Sequence, residues 1–501
     1  FFNETSPGGA YGYAPNICSR VVSYGTEACL SAGSMLSETE DTFPMSDFIE
    51  FVDLFVPGNC IVERCSEGAY KEMEETKDID QFPNGFGLKK EKWYGVDYFL
   101  SPIDDKIVST WKGVEGAGSD VKPIDSTELH LPFPNRYIPR TLELCPDLPE
   151  DAREGQRIEK PIDPPSLLID EENWKLYHRL DDRYLLPKSS LNLLIRNMST
   201  HSVKNDSGDW NYDARSSLYS SLLASLFNEA MAQETYDAHL AGLQWSLSLG
   251  ASGIKLRCFG FSDRLPDLAL KILDDFFSGE FLKDEKFFLS SKDRLIRGLR
   301  TYFESRRADS HARYYRNALL CLEDQGVDES LEIALASTFE DIVEHHQTIL
   351  RDQERSVQCL FSGNVSSTEA TEFFSNAKSK IQSAYKVKPE DFDDETETLI
   401  KKGIFERQLQ QGEDIELHFN SKNAQEENGA VLCTYQSSIP SFRGENFSHP
   451  FALHSSSAIR LLSHILREPL FNSLRTKQQL GYIVSSSYEM GISSQSNENG
   501  Q

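Results

Sequence analysis

Arg467-Glu-Pro-Leu-Phe-Asn-Ser-Leu-Arg-Thr-Lys-Gln-Gln-Leu-Gly-Tyr-Ile-Val484 is the stretch on which the reading of this chain turns. A residue before proline is pushed away from helical geometry, so Glu468 should end one helix. Pro469 suits the first turn of the next, where its missing N–H costs nothing. Leu470 and Leu474 are four apart, as are Phe471 and Arg475, which gives an apolar face with Arg475 on its flank. Gly481 can end that helix, and Tyr482–Ser487 then reads as a strand. Bare geometry leaves two readings open: an arginine favoured by the helix dipole beside a packed tyrosine ring, or a pair of polar tips with a task.

Outward from that stretch, composition sets bounds. The 501 residues suggest about three domains, each long enough for its own core. A hydrophobic fraction of 39% and a formal charge of −28 describe a soluble acidic exterior and argue against a nucleic-acid surface. No apolar run approaches the ~18 residues of a membrane span, so no membrane partner is expected. Nine cysteines run from Cys18 to Cys433 without a C-x-x-C pair, which favours buried free thiols and a cytoplasmic location. Sequons at Asn3, Asn197, Asn205, Asn364 and Asn446 leave room for secretion. The chain starts at Phe1 without Met and ends shortly after Tyr482, and both ends read as cuts through a longer protein.

In chain order, Ser46–Val56 reads as an amphipathic helix ended by Pro57-Gly58, and Asn59–Arg64 as a strand. Glu72–Asp80 reads as an acidic loop, and Trp93–Tyr98 as an aromatic turn packing on a core. Pro, Asp and Glu then dominate to about Asn173, as in a connector. Trp174–Arg179 and Arg183–Lys188 flank Asp181-Asp182 as strand, turn and strand. Leu218, Leu222 and Leu226 mark a long helix; Leu243, Trp245, Leu247 and Leu249 alternate as a half-buried strand. Gly250–Gly253 turns the chain, and Ile254, Leu256 and Cys258 alternate again. Helices are expected over 268–277, 285–304, 312–322 and 331–350, then a strand at Val357–Phe361 and one more helix. Helices laid over such strand pairs make an α+β layered domain on mainly antiparallel sheet. Pro389–Glu397 reads as an acidic linker, Gly412–Phe419 and Gly429–Tyr435 as strands, and Ser455–Arg467 as a helix.

Chemistry-bearing motifs are few. None of the eleven histidines lies in His-x-x-Glu-His or His-Glu-x-x-His. In Glu344-His345-His346 the neighbours point about a hundred degrees apart on a helix, and Asp341 four residues before His345 suggests a surface ion pair. His464 and Glu468 supply two candidate ligands, too few for zinc. There is no G-x-S-x-G elbow, P-loop or clean G-x-G-x-x-G.

The run Glu-Pro-x-Phe-Asn-x-Leu-Arg-Thr-Lys-x-Gln-Leu-Gly-Tyr-Ile-Val within 468–484 resembles the fourth-domain motif of the insulin-degrading-enzyme-like metallopeptidases, the insulinase or pitrilysin family. Trp93–Tyr98, Leu131–Pro139, Tyr236-x-Ala238-x-Leu-Ala-Gly-Leu243 and Arg313-Tyr-Tyr315 are similar to family elements as well. The resemblance implies repeated α+β domains forming half of a two-lobed peptidase chamber. It divides the chain into the carboxyl end of a second domain (1–115), an inter-lobe linker (116–173), a catalytically inert third domain (174–388) and a truncated fourth domain (389–501). It implies a zinc metalloendopeptidase whose Arg475 and Tyr482 contact substrate and the developing oxyanion, with Zn2+ bound by an amino-terminal part outside this sequence. The partners it implies are peptide substrates, that amino-terminal half and, as an option, further copies of the protein. The chain alone is expected to be inactive. A non-catalytic peptide- or protein-binding module of the same fold is the alternative.

Overall fold

The structure is a computed structural model that describes residues 9–30, 45–69, 71, 87–112, 133–154, 162–208, 210–304, 306–321, 326–352, 355–385, 405–407, 409, 412, 414–436, 450–488 and 492–493. The chain divides into two compact units, Phe1–Pro134 and Asn135–Gln501. The acidic stretches 72–80 and 389–397 lie outside the described residues.

In the first unit, α1 (Gly9–Ala28) kinks at Gly25, and α2 (Met45–Val52) is shorter than its sequence pattern suggests. The chain leaves the helix before the proline: Pro57–Asn59 forms a 3-10 turn. Asn59–Arg64 is no strand, because among the described residues no ladder partner lies beside it. β1 (Gly87–Lys90) and β2 (Asp97–Leu100) form an antiparallel hairpin, followed by α3 (Asp105–Trp111). The carboxylate of Glu91 accepts the N–H groups of Trp93 and Tyr94 at 2.7 and 2.5 Å and so fixes the turn. The two rings point to solvent, 79% and 90% exposed, instead of packing on a core. Cys29 is the one buried side chain among the described residues of this unit.

The second unit opens with Tyr137, buried in its main core, and the short α4 (Glu150–Arg153). A six-stranded sheet follows, from β3 (Ser166–Glu171), β4 (Trp174–Leu180), β5 (Lys188–Asn197), β8 (Gln244–Gly250), β9 (Gly253–Phe261) and β10 (Arg355–Gly363). β6 (Ser202–Lys204) and β7 (Trp210–Tyr212) make a separate small hairpin. The order in the large sheet is β3-β4-β10-β5-β9-β8, with β10 parallel to β4 and every other pair antiparallel.

Two expectations are corrected here. β3 belongs to the sheet although its residues fall in the expected connector, and β4 and β5 are not a hairpin. β10 slides between them, and the N–H of Asp181 donates to Gly363 O at 2.8 Å to close its end. The hairpin β8–β9 stands as the alternation implied, with Leu247↔Leu256 in register. Its glycine is required: Gly253 has φ +97, and a Cβ there would meet Ile195 O at 2.2 Å.

One face of the sheet carries the core. Leu191, Leu193 and Ile195 of β5, Leu256 and Cys258 of β9, and Cys359 and Phe361 of β10 are all buried in one cluster. Over them lie α5 (Ala214–Glu234), α7 (Leu265–Ser278), α11 (Phe339–Arg351) and α12 (Ser367–Ala384). They supply Leu222, Phe227, Leu268, Phe276, Ile349 and Phe374. Four further helices complete the layer: α6 (Tyr236–Leu240), α8 (Glu285–Arg300), α9 (Ala308–Leu320) and α10 (Val327–Ala336). The expected helix over 331–350 is two helices, because Thr338 and Asp341 form a reciprocal capping box that starts α11 anew. Asn197, at the end of β5, is 2% exposed; its amide donates to Ile349 O at 3.0 Å and its Oδ1 accepts from Ser199 N. This is the α+β layered architecture anticipated from the sequence.

Beyond α12 come β11 (Phe405–Glu406), a run over 414–436 without helix or ladder, α13 (Pro450–Leu470), a widened π turn (Phe471–Lys477) and β12 (Ile492–Ser493), which pairs in parallel with β11. The strands expected at 412–419 and 429–435 form no ladders among the described residues. None of the described residues after Tyr385 is buried.

Candidate functional site

α13 does not stop at Glu468: it runs through Pro469 to Leu470 and continues into the π turn. Pro469 brings no N–H to the carbonyl of Ile465, and widening the next turn accommodates that loss. The N–H of Gln478 donates to Ser473 O at 3.0 Å, five residues back, and Leu480 N to Leu474 O at 2.9 Å. Gln479, at φ 53, turns the chain out of the helix, a role the sequence suggested for Gly481. Ile483–Tyr488 then joins no sheet among the described residues, which corrects the strand expected at 482–487.

These turns bring Arg475 and Tyr482 together. The guanidinium carbon of Arg475 sits 4.8 Å from the Phe471 ring centre and 4.3 Å from that of Tyr482. A cation over two aromatic rings is held without a carboxylate. Stacking covers the faces of the guanidinium and leaves its in-plane N–H groups for hydrogen bonding. Arg475 is half-buried, whereas Tyr482 is 81% exposed. Alongside lies a depression of about 300 Å³ lined by Arg467, Glu468, Phe471, Val484, Ser485 and Ser486. The arrangement presents a planar cation and a phenol to whatever approaches that surface.

Among the described residues no group of three or more His, Cys, Asp or Glu side chains could hold a metal ion, so these residues do not fit a zinc site. The histidine pair of α11 is structural. Ser220 Oγ donates to Thr200 O at 2.7 Å and lies 2.8 Å from His345 Nε2, which makes the imidazole the donor in that contact. His346 Nε2 lies 2.9 Å from Phe276 O. Both rings are buried, and burial pushes His345 down to about 4. The surface ion pair expected between Asp341 and His345 is absent, since Asp341 is spent on the helix cap. His464 and Glu468 are exposed. All nine cysteines are free thiols; Cys29, Cys145, Cys258 and Cys359 are buried, whereas Cys18, Cys60, Cys65 and Cys433 are exposed. No helix among the described residues is long and apolar enough to cross a membrane.

A sequence model of the middle or third domain of peptidase M16 matches residues 2–333, and one of the peptidase M16 inactive domain matches 337–494. This chain belongs to the M16 peptidase family. The seam between the two matched regions falls just before α11, although β10 beyond it is an inner strand of the large sheet.

Among curated M16 relatives, the chain is 26% identical over 484 residues to a nardilysin-like protein of Arabidopsis thaliana, spanning 96% of this chain and 40% of that protein. It is 26% identical over 475 residues to the insulin-degrading enzyme of Homo sapiens, 94% of this chain and 40% of the relative. It is also 26% identical over 398 residues to the A-factor-processing enzyme of Saccharomyces cerevisiae, 79% of this chain and 34% of that enzyme. The chain thus spans about two fifths of the length of the first two relatives. The crystal structure of pitrilysin aligns with a TM-score of 0.46 at 16% identity, over 74% of this chain and 36% of that one. The two family models bear out the resemblance seen at 468–484.

Of two features that support the site, one was half visible in the sequence and one was not. The ring of Phe471 as a platform for Arg475 was half visible, since the two are four residues apart. The contacts of Arg407, Phe419 and Glu426 with α9 leave no local pattern.

Proposed function

We propose that this chain is the carboxyl-side portion of a zinc metalloendopeptidase that encloses and cleaves peptides, with the zinc bound by an amino-terminal part of the same protein. The observation that carries this reading is the convergence of Arg475 and Tyr482 at an exposed junction, inside the region matched to the M16 family. In it, Arg475 forks hydrogen bonds to a substrate carbonyl, and the Tyr482 hydroxyl donates to the oxyanion that forms during attack on the peptide bond. Residues 1–115 are the end of a second domain, 116–173 a linker whose last residues enter the large sheet as β3, 174–388 an inert third domain and 389–501 a truncated fourth. The substrates are peptides and the compartment is the cytoplasm, consistent with the free thiols.

The test uses the full-length parent protein and a quenched peptide. The parent should contain zinc and lose turnover with a chelator, and Tyr482→Phe should lower kcat by ~10²–10³-fold. The 501-residue chain alone should cleave nothing. A zinc-free, inactive parent that still binds peptide would instead establish the non-catalytic module.

A further inference from the structure

After β11, Arg407, Phe419, Ser421 and Glu426 meet α9 in reverse order, from its C-terminus to its N-terminus. At the helix C-terminus, the N–H of Arg407 donates to Leu320 O at 2.6 Å. Midway, the ring of Phe419 lies on that of Tyr315, with centres 3.6 Å apart and planes 3° from parallel. Ser421 Oγ is 3.3 Å from His311 Nδ1. At the N-terminus, where Arg307 offers no side-chain cap, the carboxylate of Glu426 accepts the N–H of Ala308 at 3.3 Å. A distant carboxylate thus meets the positive end of the helix, and a distant amide the negative end.

The same segment is linked to the Arg475–Tyr482 junction. β11, two residues before Arg407 at its start, pairs with β12, whose Ile492 lies ten residues past Tyr482. We propose that α9 is the seat that positions the Arg475–Tyr482 pair, and that Phe419 and Tyr315 are positioning residues for it. The proposal rests on the reading of that pair as substrate contacts, and its test separates the two.

In the full-length parent, Phe419→Ala removes the stacked ring; Phe419 is 51% exposed, so the change leaves no cavity in the core. Amide exchange should quicken at Ala308 and Arg407, and also at Gln478 and Leu480 in the π turn, while β5 stays protected. Activity, kcat/KM, should fall by ~10- to 100-fold as the junction shifts. Phe419→Tyr should restore both. In a Tyr482→Phe background the further loss from Phe419→Ala should shrink to under about 2-fold, as expected for residues acting through one another. Unchanged exchange at Gln478 and Leu480, with faster exchange at Ala308 and Arg407, would overturn the seat. Faster exchange at all four amides with undiminished turnover would keep the seat and sink the substrate-contact reading.

Discussion

Residues 166–385 and residues 405–493 treat their apolar side chains in opposite ways. In the first, strands of period two and helices of period 3.6 turn the same kinds of residue onto one sheet face, where Leu191, Phe227, Phe276 and Phe361 are wholly buried. In the second, Leu461, Leu462 and Ile465 of α13 are 58%, 53% and 58% exposed, and no described side chain is buried. The first region is held by long-range packing. The second is held by hydrogen bonds within its own turns and by contacts along α9. A fold can therefore be self-sufficient in one half while the half bearing the candidate site takes its placement from a neighbour.

The comparison breaks most readily in the core. Phe276→Ala should cost about 3–5 kcal/mol in denaturant unfolding, because its ring packs edge-on against Phe227 and His346 and has no room to be replaced by water. A loss near zero would mean that the layer is not a packed core.

Acid should act next, and on the same region. Burial holds His345 and His201 at about 4 when folded, against an ordinary value of 6.5. The unfolded chain thus takes up protons first as pH falls. Stability is complete above about pH 6.5 and declines toward pH 4, by about 3 kcal/mol for each ring. Denaturant midpoints measured at pH 7.5 and 4.5 check the sign, and His345→Gln should remove that residue's share.

Gly253→Ala should cost about 2–3 kcal/mol, since it combines a strained φ with a clash against the β5 backbone. A thermal melt reads it. The smallest effect belongs to the second region: Ile465→Ala, at an exposed position of α13, should change stability by less than about 0.5 kcal/mol. A large loss there would show that the helix face is covered in solution and would narrow the contrast between the regions.

Much of the first region could be read in advance because its signals are local. Leu247 and Leu256 announce a hairpin through alternation and the glycine turn between them. The pairing of β4 and β5 was misread because the strand between them arrives more than 150 residues later, and a long-range insertion has no signature in the short one. In the second region alternation was present but ladders were not: Ile415, Leu417 and Phe419 alternate, yet Phe419 spends its ring on Tyr315. Of the candidate site, the Phe471–Arg475 contact was legible as helical spacing. Tyr482 entered through the family resemblance, and its approach to Arg475 depends on a π turn and on Gln479, neither of which has a sequence rule strong enough to anticipate it.

The burial of Asn197 has a consequence for biosynthesis. Its amide is the acceptor of an N-x-S sequon, yet in the folded chain it is closed between β5 and the end of α11. A sugar on that nitrogen and the native strand–helix contact exclude each other. In a glycosylating compartment the nascent chain would face a race between oligosaccharide transfer and closure of the sheet, and every molecule modified at Asn197 would be diverted from the native structure.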